Sequence, residues 1–311
     1  MAIFVAFLAL VGAGVDAFLI GGGETFVPFA TLAAVAIGGG QSWWSLRFGD
    51  RSVLASTGAV PLATKLATAG TDDDRLRYRQ LQNVVEEMSI AAGIPLPQTY
   101  VIPDGDPNAF ATGRDPAHAS LAVTEGLLRV LTREELQGVI AHEMGHVRNL
   151  DIRLMTVVAA LVGALALLAD WTARGMRFGG ARRSSKREKN GGNALFFALW
   201  IVAALLAPVV GRLLALAVSR RREYLADATG AELTRNPLGL AGALEKIENA
   251  VEPTPSIKQG TAHLCIADPL GRPLSARDGA WAELWATHPP MPKRIRALRE
   301  MGYSAERRTP Q

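Results

Sequence analysis

Only one cysteine, Cys265, occurs in the chain of 311 residues. That count excludes an intramolecular disulfide and any multi-cysteine metal site, and a lone cysteine is most often a small core residue. Aromatic residues are scarce at 6%, while the hydrophobic fraction reaches 49% and mean hydropathy is slightly positive. This mixture is too apolar for an ordinary soluble enzyme, yet 20% charged residues is too many for a pure membrane channel. A membrane anchor joined to a soluble domain fits both numbers. Beyond Asp16 the apolar runs hold little ionisable character, which disfavours a transporter. The first run lacks a basic n-region and is followed at once by a second, so it reads as an anchor rather than a cleaved signal peptide. No internal repeat is visible.

Four apolar runs are present. Residues 2–20 carry one charge, Asp16, and residues 26–46 carry none and end at Trp43 and Trp44, a pair suited to a membrane interface. At ~1.5 Å per residue each can cross ~30 Å of hydrocarbon. Residues 154–171 are marginal in length, and residues 194–218 are long enough to span. Net charge is +4. The cations cluster beside apolar runs, at Arg174 to Lys189 and Arg220 to Arg222, so anionic lipid rather than nucleic acid is the expected partner. Arg47 and Arg51 favour a cytoplasmic location for the side to which the first hairpin returns. If the later pair also spans, the basic 172–193 loop lies outside, against the positive-inside rule; otherwise that pair is a buried or interfacial hairpin.

Between the apolar pairs, periodicity predicts a helix over 72–94, with Leu76, Leu81, Val84, Val85 and Met88 on its apolar face. Strand-like stretches follow near 98–102, 108–112 and 119–124. Thr132 and Glu135 make a capping-box pattern at the head of a helix over 132–150. Helices are also expected over 220–235, 237–250 and about 291–301, with an irregular stretch at 251–287 that holds His263 and Cys265.

The helix over 132–150 contains His142-Glu143-Met144-Gly145-His146. Residues four apart share a helix face, so both imidazoles can reach one ion, while Glu143 sits about 100° round, placed to take a proton from water rather than to ligate. That order of residues is the chemistry of zinc hydrolysis, with an open position for water. A third ligand is needed. A short-spacer histidine is excluded because Asn149 and Ile152 stand where glycine and histidine would be required. The best remaining candidates are Glu223 and Asp227, again four apart, of which one can ligate while the other orients a histidine.

In order along the chain, Pro107-Asn108-Ala109-Phe110-Ala111-Thr112-Gly113, Ala141-His142-Glu143-Met144-Gly145-His146, Ser219-Arg220-Arg221-Arg222-Glu223-Tyr224-Leu225-Ala226-Asp227 and Thr287-His288-Pro289-Pro290 resemble the HtpX family of membrane zinc metalloproteases, relatives of the CAAX prenyl-protein proteases. The resemblance covers almost the whole length. It implies a mainly α membrane protein with a zincin-like α+β metalloprotease domain, a small β-sheet, two N-terminal transmembrane helices and a second apolar hairpin. The expected organisation is 1–46 for the N-terminal hairpin, 47–153 and 219–311 for the two parts of the protease domain, and 154–218 for the second hairpin. His142, His146 and Glu223 are implied as ligands of one Zn2+ per chain, Glu143 as the catalytic glutamate and Asp227 as the residue orienting a ligand. More loosely, Asn108, Ala109 and Phe110 would pair with an extended substrate, and His288 or Arg222 would stabilise an oxyanion. The implied role is an endopeptidase of the cell inner membrane, its catalytic domain cytoplasmic, acting under stress on misfolded membrane proteins. A CAAX-type processing protease and a non-catalytic membrane scaffold or chaperone are the alternatives. The intact Glu143 argues against the scaffold.

Overall fold

The computed structural model describes residues 2–20, 28–162, 220–250, 264–266 and 289–306. Most of the second apolar pair, with His263 and His288, lies outside them.

Helices α1 (Ala2–Ile20) and α2 (Phe29–Ser56) pack side by side as a hairpin. The one charge in the first run is used within this hairpin, where the Asp16 carboxylate accepts from both the Thr31 N–H and the Thr31 hydroxyl, each at 2.7 Å. It thereby caps one of the open amides at the start of α2. Gly38 allows close approach, since a Cβ there would lie 3.1 Å from Leu8 Cδ1. No helix among the described residues is long and apolar enough to cross a membrane. The helix α2 does not stop at 46 but continues to Ser56, because nothing between Leu46 and Ser56 breaks it and Gly49 packs against Thr156.

A mixed four-stranded sheet follows, in the order β1-β2-β4-β3, from β1 (Val60–Pro61), β2 (Gln98–Ile102), β3 (Ala109–Gly113) and β4 (Ala119–Thr124). Strands β2 and β4 run parallel, with Tyr100 opposite Ala122, and β3 lies antiparallel at the edge. A short helix, α3 (Leu62–Ala67), leads into α4 (Asp72–Ala92), which is capped by the Thr71 side chain and closed by Gly93 in the left-handed region. The buried face of α4 is Tyr78, Leu81, Val84, Val85 and Met88. Leu76, expected on it, is 65% exposed. Five residues before Leu81 is about 140° away around a helix of 3.6 residues per turn, so Tyr78 takes the place instead.

Helix α5 (Glu125–Val130) connects the sheet to α6 (Arg133–Arg148), whose capping box is formed as expected: Thr132 Oγ1 accepts from the Glu135 N–H, and a Glu135 oxygen accepts from the Thr132 N–H at 2.8 Å. Residues 151–162 are also helical. The chain resumes in α7 (Arg220–Thr234), α8 (Pro237–Glu248) and α9 (Met291–Glu306). Helix α6 is central, with residues 138–147 buried among α4, α7, α8 and β3 and with Arg133, Glu134 and Arg148 exposed. Its core neighbours include Leu81, Val85, Leu121, Leu240, Leu244 and Leu298, each contributing ~1.5–3 kcal/mol by leaving water.

Gly138 is where α6 and α8 touch backbone to backbone, and an added Cβ would lie 2.8 Å from Leu240 N and Cα. Gly138→Ala is therefore expected to destabilise the protein by about 1–3 kcal/mol, read as a lower midpoint in thermal unfolding. An unchanged midpoint would show that the helices separate at little cost.

Candidate metal centre

Helix α6 fixes His142 and His146 one turn apart with their rings perpendicular and their centroids 4.8 Å apart. Glu223, in the first turn of α7, enters from the opposite side. His142 Nε2 lies 3.9 Å from Glu223 Oε2, and His146 Nε2 lies 3.6 Å from Glu223 Oε1. The three side chains are buried, and one ligand atom from each falls within 4.8 Å of the others. A tetrahedral zinc with arms of ~2.0–2.2 Å needs donor–donor edges of ~3.4 Å. Two imidazoles and one carboxylate at these separations fit that ion.

The other face of each imidazole is held by a carboxylate. Asp227, one turn beyond Glu223 on α7, has Oδ1 2.9 Å from His142 Nδ1. Asp151 Oδ2 lies 3.2 Å from His146 Nδ1. With Nδ1–H donated to carboxylates, both Nε2 lone pairs turn toward the metal position. Each carboxylate is in turn gripped by an arginine. Arg222 Nη1 donates to Asp151 Oδ1 at 2.7 Å. Arg294, on α9, donates from Nε to Asp227 Oδ2 at 2.8 Å and from Nη2 to Oδ1 at 2.7 Å, a bidentate pair. Arg294 also donates from Nη1 to the Ile266 carbonyl at 3.1 Å, and that nitrogen is 3.4 Å from Glu223 Oε2.

These charges move the titrations. Burial raises the Asp227 carboxyl, but the Arg294 charge and hydrogen bond, joined by His142, bring it down to about 2. Burial lowers the His146 imidazole, and the Asp151 hydrogen bond with the Glu223, Glu143 and Asp151 charges outweighs it, giving about 8. The Arg294 guanidinium is disfavoured by burial, yet Asp227, Glu223 and Glu143 hold it charged. Glu143 is pushed upward by burial, aided by the Glu223 charge and opposed by both histidines and an Ala111 N–H hydrogen bond. Its Oε2 is buried and has no hydrogen-bond partner among the described residues.

Of the softer expectations, Asn108 is fully buried and turned into its own chain: Oδ1 accepts from the Ala109 N–H at 3.1 Å, and its N–H donates to Thr124 Oγ1 at 2.9 Å. It braces the junction of β3 and β4. Ala109 and Ala111 pack among residues of the α6 side, whereas Phe110 points to the opposite face, among Val53, Leu54, Met155 and Cys265. Cys265 is thus a small core residue. Strand β3 is the sheet edge among the described residues, and the Ala109 carbonyl on it accepts from the Ile266 N–H at 3.0 Å. Arg222 is engaged with Asp151. His288 lies outside the described residues.

Sequence reasoning does not find Arg294 or Asp151. For Arg294 a signal existed: it falls between Met291, Ile295 and Leu298 on the apolar stripe of α9. Asp151 follows the end of α6 and carries no comparable mark.

A buried His-Glu-x-x-His helix, a distant glutamate converging on it and carboxylates behind both imidazoles define a zinc metallopeptidase. The model of peptidase family M48 matches residues 75–302, most of the chain. The chain belongs to peptidase family M48 and, within it, to the HtpX family. A protease HtpX homolog of Caldanaerobacter subterraneus is 44% identical over 262 residues, covering 84% of this chain and 81% of that protein. Another from Ligilactobacillus salivarius is 38% identical over 301 residues, covering 97% and 95%. The crystal structure of S. mikatae Ste24p aligns with a TM-score of 0.42 and 18% identity over 86% of this chain and 64% of that one.

Proposed function

We propose that the chain is a membrane-embedded zinc endopeptidase that cleaves misfolded membrane proteins at the cytoplasmic face of the cell inner membrane. The observation that carries the proteolytic part is the convergence of His142, His146 and Glu223 with the unsatisfied Glu143 oxygen beside them. The membrane part is supported by Leu10, Phe29, Leu32, Ile37, Trp43 and Trp44, all more than half exposed along α1 and α2. An apolar surface of that extent is normally covered by lipid or a partner.

In this reading one zinc is held by His142, His146 and Glu223, and when bound it supplies Lewis acidity toward a water and a substrate carbonyl. Asp227 and Asp151 engage Nδ1 of His142 and His146 and so aim both Nε2 atoms at the metal position. Glu143 accepts the proton of the attacking water as its oxygen bonds to the peptide carbonyl carbon. The same carboxyl then delivers that proton to the departing amine nitrogen as the C–N bond breaks. His288 donates to the carbonyl oxygen as it gains charge. An extended substrate pairs with the segment Asn108, Ala109 and Phe110 at the β3 edge, displacing the Ile266 N–H from the Ala109 carbonyl.

The test is cleavage of casein or a membrane protein by the purified full chain. Treatment with 1,10-phenanthroline is expected to abolish cleavage and equimolar zinc to restore it. Cleavage that persists in demonstrably metal-free protein would overturn the reading.

A further inference from the structure

A second cluster of charge lies away from the metal, where α2 passes the end of β3. Leu46, Arg47, Asp50 and Arg51 of α2, with Gly113, Arg114, His118 and Thr156, line a cleft of about 40 Å³. Arg47 and Arg51 stand one helical turn apart on either side of Phe48, their guanidinium carbons 5.2 and 5.8 Å from its ring centroid. Both side chains are exposed and neither forms an ion pair among the described residues. Arg114 is fixed instead, with Nη2 2.6 Å from His118 Nε2, while His118 Nδ1 is 2.6 Å from Asp115 Oδ1. Asp115 is thus occupied by His118 and, at 3.4 Å, by Arg114. Asp50 is the remaining carboxylate, against three guanidinium groups.

The cleft is far smaller than the ~300–1,000 Å³ that encloses a whole small molecule. It suits the end of a ligand whose bulk lies elsewhere. Guanidinium forks match the paired oxygens of a phosphate. Its height along α2 is informative. Arg47 stands eighteen residues after Phe29, or ~27 Å along a helix, close to the ~30 Å of a hydrocarbon core. It comes just after Trp43 and Trp44, which are 62% and 51% exposed. If α2 is embedded as proposed above, on which this inference rests, the cleft opens at head-group level.

We propose that this cleft binds the phosphodiester of an anionic phospholipid, with Arg47 and Arg51 gripping the phosphate and Arg114 closing the far side. The lipid would lock α2 against the rim of β3, the strand beside the metal centre.

The test uses the full chain in nonionic detergent. Its thermal midpoint is followed with dihexanoyl-phosphatidylglycerol, dihexanoyl-phosphatidylcholine or inorganic phosphate. At ~100 times the dissociation constant the glycerol lipid is expected to raise the midpoint by about 5 °C or more, and the choline lipid by far less. Arg47→Gln/Arg51→Gln should lose that rise, Arg47→Lys/Arg51→Lys should keep part of it, and Arg75→Gln/Arg79→Gln on exposed α4 should keep it whole. Equal shifts with both lipids, no shift, or a shift retained by Arg47→Gln/Arg51→Gln would overturn the proposal. An equal shift with inorganic phosphate would assign the cleft to a free anion and overturn the lipid. Alkaline carbonate extraction of membranes reads embedding separately, so failure of the cleft is not confused with failure of the membrane reading.

Discussion

Glu143→Gln is expected to lower kcat for protein cleavage by about 10²–10⁴-fold, the range supplied by a positioned general base, while zinc content stays at one per chain. Gln has the size and one acceptor oxygen of Glu, so it can still take the Ala111 N–H, but it cannot accept a proton from water. A thousandfold loss corresponds to about 4 kcal/mol of barrier. The thermal midpoint should hold or rise, because burial already disfavours the ionised form of Glu143 and the amide removes that cost. Steady-state cleavage, metal analysis and thermal unfolding on one preparation separate these effects. Turnover within about threefold of the parent would sink Glu143 as the base, whereas zinc loss would mean that Glu143 shapes the ligand set instead.

Much of this centre is legible in the sequence because its signals are local. The His142–His146 spacing is one helical turn, and the capping box at Thr132 and Glu135 is a four-residue pattern that specifies where that helix begins. The strands over 98–102 and 119–124 and the start of α4 at Asp72 depend on neighbours in sequence, although α4 closes at Gly93 rather than running to 94. The pair Glu223 and Asp227 is local in spacing too, but its meeting with α6 is not. What sequence hides is what long-range packing decides. Strand β1 has two residues and exists by pairing Val60 with Val101. Leu76 is apolar yet faces outward, since the burial of Tyr78 sets the rotation of α4. The bond from the Asn108 N–H to Thr124 Oγ1, which braces β3 against β4, depends on a residue sixteen positions away.

The two arms behind the histidines are alike in chemistry and unlike in surroundings. His146, Asp151 and Arg222 end at an arginine whose side chain is 38% exposed, and His142, Asp227 and Arg294 end at one that is 0% exposed. Water can replace a lost partner in the first arm but not in the second.

Arg294→Met is therefore expected to destabilise the protein by about 3–5 kcal/mol, the usual effect of removing one member of a buried ion pair. Asp227 would stay buried beside His142 with its bidentate partner gone, and Glu223 would lose the guanidinium 3.4 Å away. At ~2–4 °C per kcal/mol for a domain of this size, the thermal midpoint should fall by about 10 °C. Methionine keeps an unbranched apolar side chain along the stripe of Met291, Ile295 and Leu298, so packing alone would not account for such a fall. Arg294→Lys should lie between, since an ammonium cannot reproduce the fork. The decisive variant is Arg294→Met/Asp227→Leu. Removing both charges removes the unpaired carboxylate, so the double variant should recover part of the lost stability. It should still bind zinc more weakly, by about 10–100-fold, because His142 has lost the carboxylate that aims it. Stability and metal affinity would then separate, which no uniform loosening of the core would produce. A midpoint within a degree or two of the parent for Arg294→Met would show that the buried arginine contributes nothing to holding the centre together.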